Sequence, residues 1–388
     1  MNKLKRNIKV DYFYKFFAAF DITAAIWILY LGYKGLNLIE IGLLESIFHI
    51  TGLIFEIPTG ALADLLGRKK VIIIGRVSFL ISCIIMLFSN SFIGFALGFI
   101  IQAISYNLNS GSEEALVYDS LKSINEEESY TKVCGRINLI IEIAQGLAVF
   151  IGGLLAEQNF AMSYIAAILV GLCSLGIAFS FKETPAIEMK EKVTVKEHFK
   201  ECFRVLKENK QIVKLLMYFP WIFAFSTTTY FYAQQHFSDL GLSKVDISIV
   251  FLMNGVVSAL GALLSEKIEK RLNKNKYLLI PISMGVAISL FAITDSGVSL
   301  VMFLLVGLFT AMLYPIASNK MNAMIPSEQR ATIISIDSMI FSLAMIIFFP
   351  VAGVIGEYLG LNVAFFIIGL STIILSCGEF IINRNNNR

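Results

Sequence analysis

The chain has 388 residues, of which 56% are hydrophobic and only 16% charged, with 32 Phe and a net charge of +3. A soluble protein of this length carries about a quarter charged residues. The composition therefore excludes an ordinary soluble domain, and the small net charge gives no reason to expect a nucleic-acid partner.

The apolar residues come in runs of about 20, the length that crosses about 30 Å of hydrocarbon as a helix. Twelve such runs are predicted, at 12–33, 38–62, 71–89, 92–117, 136–156, 160–181, 214–237, 246–266, 277–294, 297–319, 331–356 and 361–382. No small-residue cleavage site follows the first run, so it reads as a retained helix and not a signal peptide. Lys3, Lys5, Arg6 and Lys9 precede the first run, and Arg68, Lys69 and Lys70 separate the second from the third. Lys122, Lys132 and Arg136 lie between the fourth and fifth. A dense set from Lys182 to Lys214 follows the sixth, five more cations from Lys267 to Lys276 follow the eighth, and Lys320 and Arg330 follow the tenth. Only Lys34 and Lys244 fall on the other side. This imbalance predicts a multi-pass protein of the cell (plasma) membrane with both termini cytoplasmic.

The polar segment from about 183 to 213 divides the runs six and six. Residues 1–182 then form an N-terminal six-helix bundle and 214–388 a C-terminal one. Within the segment, Val195, Phe199, Cys202, Phe203 and Leu206 share a helical face, as in an amphipathic helix on the membrane surface. His198 falls on its polar side. The five Cys show neither paired nor metal-ligand spacing, and no metal or other cofactor is expected. The halves also echo each other: Gly60-Ala61-Leu62 recurs as Gly261-Ala262-Leu263, about one half-chain on, each followed by a charged turn. That suggests a duplicated six-helix unit.

Charged side chains inside apolar spans cost several kcal/mol unless they face a cavity or a partner. Asp21 lies in the first run. Glu45, His49 and Glu56 fall within about 40° of one another on the second, with Gly52 leaving room beside them. Gln102, Tyr106, Asn109 and Glu113 form a second stripe on the fourth run, with Glu114 beside it. Glu142 lies in the fifth run and Asp337 in the eleventh, with Arg76 in the third. One reading is a water-accessible cavity whose carboxylates load and release protons, with His49 as a relay. The other is a set of structural ion pairs, for instance Arg76 with a nearby Glu. On the seventh run Tyr218, Phe225, Thr229, Tyr232 and His236 make an aromatic, hydroxyl-bearing side. It suits a lipophilic or cationic substrate or, equally, helix packing. The chain shows no nucleotide-binding loop and no nucleophile–base arrangement, so it does not read as an enzyme or an ATP-driven pump.

Between the second and third runs, Gly60-Ala-Leu-Ala-Asp-Leu-Leu-Gly-Arg-Lys-Lys70 reads as a tight charged turn. Gly60, Leu62, Asp64, Gly67, Arg68 and Lys69 resemble the signature loop of the major facilitator superfamily, and the resemblance extends over all twelve runs. Within that superfamily the chain is most similar to the bacterial drug:proton antiporters. The resemblance implies an all-α membrane protein of 12 transmembrane helices in two pseudo-symmetric six-helix bundles, transporting by alternating access. It implies that Asp64 latches the inner ends of the halves. An anion there would gain from the helix N-terminus near Arg330 and from Arg330 itself. Two features depart from the antiporter pattern. The fourth run carries Gln102 and no Arg, and Ala148-Val149 stands before Gly152-Gly153 where Gly-Pro is expected.

The leading expectation is a monomeric, proton-coupled exporter of small lipophilic or cationic compounds, its gate built on Gly60, Asp64, Gly67, Arg68, Lys69 and Arg330. Gln102, Tyr106, Asn109, Phe225, Thr229 and Tyr232 are expected to line the substrate path. A nutrient or metabolite symporter on the same fold is the alternative. A non-transporting membrane receptor, in which the buried acids are purely structural, comes third.

Overall fold

The computed structural model describes residues 4–184, 200, 204, 207, 210–293, 296–324 and 330–386. All its regular elements are helices: α1 Lys5–Ala18, α2 Trp27–Tyr33, α3 Leu38–Leu66, α4 Arg68–Phe88, α5 Phe92–Lys122, α6 Tyr130–Gln158 and α7 Phe160–Ala178. Beyond the central segment come α8 Lys210–Leu216, α9 Phe219–Asp239, α10 Lys244–Leu272, α11 Lys276–Ile293, α12 Ser296–Met324, α13 Arg330–Leu359 and α14 Leu361–Asn386. Among the described residues ten stretches are long and apolar enough to cross a membrane. The other two expected spans correspond to α11, which is apolar but shorter, and to α1 with α2. Most of the expected amphipathic helix, His198 and Cys202 included, lies outside the described residues.

The first expected span is not one helix. The α-helix stops at Ala18 and resumes at Trp27. Between them the Asp21 carboxylate accepts from the Thr23 amide (3.0 Å) and hydroxyl (2.8 Å). A side chain that bonds the backbone locally competes with helix formation. The break is also seated from outside the segment. Arg76 Nη1 donates to the Ala18 carbonyl at 3.4 Å, and Gly152 of α6 lies directly against the Ile22 carbonyl.

The charged turn is shorter than expected. Helix α3 runs through Gly60 and Asp64 to Leu66, and only Gly67 turns, at φ 89°. The corresponding turn of the second half is Asn273, at φ 50°, so Ser265–Arg271 is helix and not turn. Gly and Asn are the residues that enter this region of φ at least cost.

The chain forms two compact units. The first comprises Met1–Tyr30 and Ile47–Lys192, the second Leu31–Ser46 and Val193–Arg388. The division falls inside the 183–213 segment, and Leu31–Ser46 additionally belongs with the second unit. That stretch is tied in by its backbone. Tyr232 donates to the Leu38 carbonyl (3.2 Å), Glu357 accepts from the Leu38 amide (2.9 Å), and Ser46 donates to the Ile346 carbonyl (2.9 Å). A core of Tyr14, Ile72, Leu116, Ala178 and Phe181 joins α1, α4, α5 and the end of α7 in the first unit. The second unit centres on an aromatic cluster in which Phe291 meets Phe237, Phe303 and Phe365 at 4.8–5.9 Å. Such pairs each add about 0.5–1.5 kcal/mol beyond their area.

Candidate functional site

In the first unit, α1 places Asp11, Tyr14 and Lys15 on one face, because residues three and four apart are neighbours on a helix. That face meets Glu113 of α5. The Lys15 ammonium lies 2.5 Å from Glu113 Oε2, with both side chains largely withdrawn from solvent (14% and 9% exposed). The Tyr14 hydroxyl donates to Glu113 Oε1. Both oxygens of Glu113 are thus bonded, which is the condition under which a buried ion pair is tolerable.

Arg76 of α4 stands beside this pair. Its guanidinium lies 5.0 Å from the Phe79 ring and 5.8 Å from the Tyr14 ring, and bonds the carbonyl that ends α1. Ring faces and a helix C-terminus both favour a cation. Of the structural ion pairs that the alternative reading allows, Arg76 with a glutamate is not seen among the described residues: Lys15 takes Glu113, and Arg76 rests on rings and a backbone carbonyl. Asp11, one turn before Lys15, is buried, and neither of its carboxylate oxygens has a hydrogen-bond partner.

The turn at Gly67 is held inside the same unit. Arg68 Nε lies 4.0 Å from Asp119 Oδ2 on α5. The Glu183 carboxylate accepts from the Lys69 amide at 3.2 Å, at the start of α4. Lys69 Nζ donates to the Phe179 carbonyl at 2.8 Å, at the end of α7. Each helix terminus thereby receives the charge its dipole favours. Any β-carbon at position 67 would meet the Glu183 carboxylate at 2.7 Å. Asp64 lies in α3 and Arg330 opens α13, and the side chains of both fall outside the described residues.

The remaining candidates are dispersed. Glu45 is buried in the second unit, within electrostatic reach of Tyr232. His49 is half-buried, while Glu56, Glu114 and Glu142 are exposed. Asp337 is half-buried, with Oδ1 shielded and without a hydrogen-bond partner. Gln102 is half-buried and Tyr106 exposed, its ring 6.3 Å from Phe48. Asn109 is buried; its Nδ2 donates to the Ser105 carbonyl and its amide lies against Gly75 of α4. Phe225 packs on Phe348 at 4.5 Å, and Thr229 bonds the Phe225 carbonyl. Tyr232 stacks on Phe349 and donates to its carbonyl at 3.1 Å. Of the expected acids, Glu113 alone is drawn into the α1 cluster.

Asp11, Tyr14, Lys15, Asp119 and Glu183 were not singled out from the sequence. The available signal was the 11/15 spacing, which puts an acid and a base one turn apart on a single helix face.

The family model of the Major Facilitator Superfamily matches residues 12–294 and 238–383. An uncharacterised MFS-type transporter, YxaM of Bacillus subtilis, is 25% identical over 378 residues, covering 93% of each chain. The quinolone resistance protein NorA of Staphylococcus aureus is 25% identical over 261 residues, 66% of this chain and 65% of that one. Among solved structures, the nucleoside transporter NupG (D323A mutant) aligns over 97% of this chain and 99% of its own, with a TM-score of 0.84 at 15% identity. That likeness is one of fold, and it agrees with the all-helical architecture. Taken with the matched residues, which run across both units, these findings show that the chain belongs to the Major Facilitator Superfamily.

Proposed function

We propose that this transporter couples a proton to the export of small lipophilic or cationic compounds. It works by alternating access as a monomer in the cell membrane, with both termini in the cytoplasm. The observation that carries the reading is the buried acid–base cluster of α1 and α5, Lys15 on Glu113 beside an unbonded Asp11. Acids and bases withdrawn from solvent inside a transporter mark ion pathways. The two cations of this cluster are already engaged, Lys15 by a carboxylate and Arg76 by rings and a carbonyl. That leaves little positive charge for an anionic substrate and favours neutral or cationic ones. The likeness to NorA, a quinolone resistance protein, favours removal of such compounds over their uptake.

Purified protein in liposomes with an imposed pH gradient tests the reading, with ethidium as the lipophilic cation. Ethidium should move against the proton gradient, and Glu113→Gln should abolish that movement. Movement in the same direction as protons would instead make the protein a symporter. No gradient-driven flux of any tested compound would leave the acids structural. Asp64 is assigned the latch. A charge at a helix N-terminus is worth about 1 kcal/mol, so Asp64→Asn should lower turnover about fivefold with substrate affinity unchanged. Equal turnover in a side-by-side flux assay removes the latch.

A further inference from the structure

Asp11 is the unsatisfied member of the α1–α5 cluster. It is 1% exposed, and neither oxygen has a hydrogen-bond partner. Lys15 and Glu113 both act on it electrostatically. The same field reaches Glu114 through Lys15, and Arg76 through Tyr14. Packed against this stretch of α1, α6 presents Val133 and Ile137, and α7 presents Ala178. Two buried carboxyl groups thus lie within electrostatic reach of one ammonium, which bonds Glu113 and not Asp11, since Arg76 is held at the Ala18 carbonyl and over two rings. An ionised carboxylate buried without a hydrogen bond costs several kcal/mol more than the neutral acid in the same place.

We propose that Asp11 and Glu113 form a one-proton site switched by Lys15, with Asp11 holding the proton in the arrangement described. In this state the acid is Asp11–COOH and the ion pair is Glu113–COO⁻ with Lys15–NH₃⁺. In the second state the proton has passed from Asp11 to Glu113, and Lys15, one helical turn away, pairs with the Asp11 carboxylate. The Tyr14 hydroxyl stays on Glu113 in both, donating to the carboxylate and accepting from the acid. The three groups sum to zero charge in each of these two states, so the transfer between them buries no net charge. Release of the proton from Glu113 leaves one net negative charge, shared by the two carboxylates around Lys15, until a new proton loads Asp11, which sets one proton per cycle at this site. The inference rests on the proton-coupled reading above.

Infrared spectroscopy of the purified protein at neutral pH reads protonated carboxyl groups by their carbonyl stretch. The parent should show a component that Asp11→Asn removes. Glu113→Gln should remove the same component, because Lys15 then turns to Asp11 and ionises it. A component that survives Asp11→Asn, or its absence from the parent, overturns the site. Survival in Glu113→Gln overturns the sharing of Lys15. Asp11→Asn is near-isosteric and mimics the protonated acid, so it should keep substrate exchange across liposomes while losing gradient-driven flux. Loss of exchange as well as flux counts against the proposal. A parent that shows the component but no gradient-driven flux keeps the proton site and removes the coupling reading. Gradient-driven flux without the component does the reverse.

Discussion

Replacing Lys15 by Met is expected to destabilise the protein by about 3–5 kcal/mol, the usual cost of removing one partner of a buried ion pair. The reason lies in what remains. Glu113 keeps the Tyr14 hydroxyl on one oxygen but loses the ammonium 2.5 Å from the other. Its charge then has no countercharge in direct contact, with Asp11 one turn along α1 adding a second acid. Arg76 cannot replace Lys15 without leaving the Ala18 carbonyl and two ring faces. The double variant Lys15→Met/Glu113→Gln removes both charges and should recover most of the lost stability, because replacing a whole buried pair is often neutral. Thermal unfolding in detergent, followed for parent, single and double variants, measures this. The double variant should nonetheless transport nothing in response to a pH gradient. A Lys15→Met protein as stable as the parent would show that the pair contributes nothing to the fold.

The stability and transport readouts separate two roles that the sequence alone leaves superimposed. A purely structural pair would be restored in both respects by the double variant. A pair that also handles protons is restored in stability only.

The fold was legible because membrane spans are written as long apolar runs, and among the described residues ten stretches are helices long and apolar enough to cross a membrane. The signature residues around Gly67 were legible because a one-residue turn at φ 89° needs glycine. Glu113 stood out as an acid in an apolar helix. Its partner did not. Lys15 sits close to a set of basic residues that mark the membrane flank, and nothing local tells a flank lysine from one folded inward. The break after Ala18 was hidden for a related reason. Residues 19–26 are mostly apolar, and two of the contacts that seat the break come from Arg76 and Gly152, far along the chain. The hydroxyl of Tyr232 looked available for substrate, yet it is taken by the backbone at Leu38 and Phe349. Tertiary partners of this kind leave no trace in periodicity.

Gly152→Ala is the second variant with a large expected effect. Its β-carbon would fall on the Ile22 carbonyl oxygen, with the carbonyl carbon at 3.1 Å. The obstruction is backbone, so no side chain can swing aside. Either α6 moves away, or the irregular segment between α1 and α2 shifts and disturbs the Asp21–Thr23 turn. Overpacking of this kind costs about 1–3 kcal/mol. Gly176→Ala on α7 is the matched control, since nothing lies within 4 Å of its β-carbon, and it should be as stable as the parent or more so by up to about 1 kcal/mol, because alanine favours a helix over glycine. The effect on flux should exceed the effect on stability. The break sets how the two pieces of the first span are angled, and α1 carries Asp11 and Lys15 on the piece before it. Flux and melting temperature measured together decide the matter. If Gly152→Ala melts and transports like Gly176→Ala, the close approach of α6 to the broken span has no part in positioning the acid–base cluster.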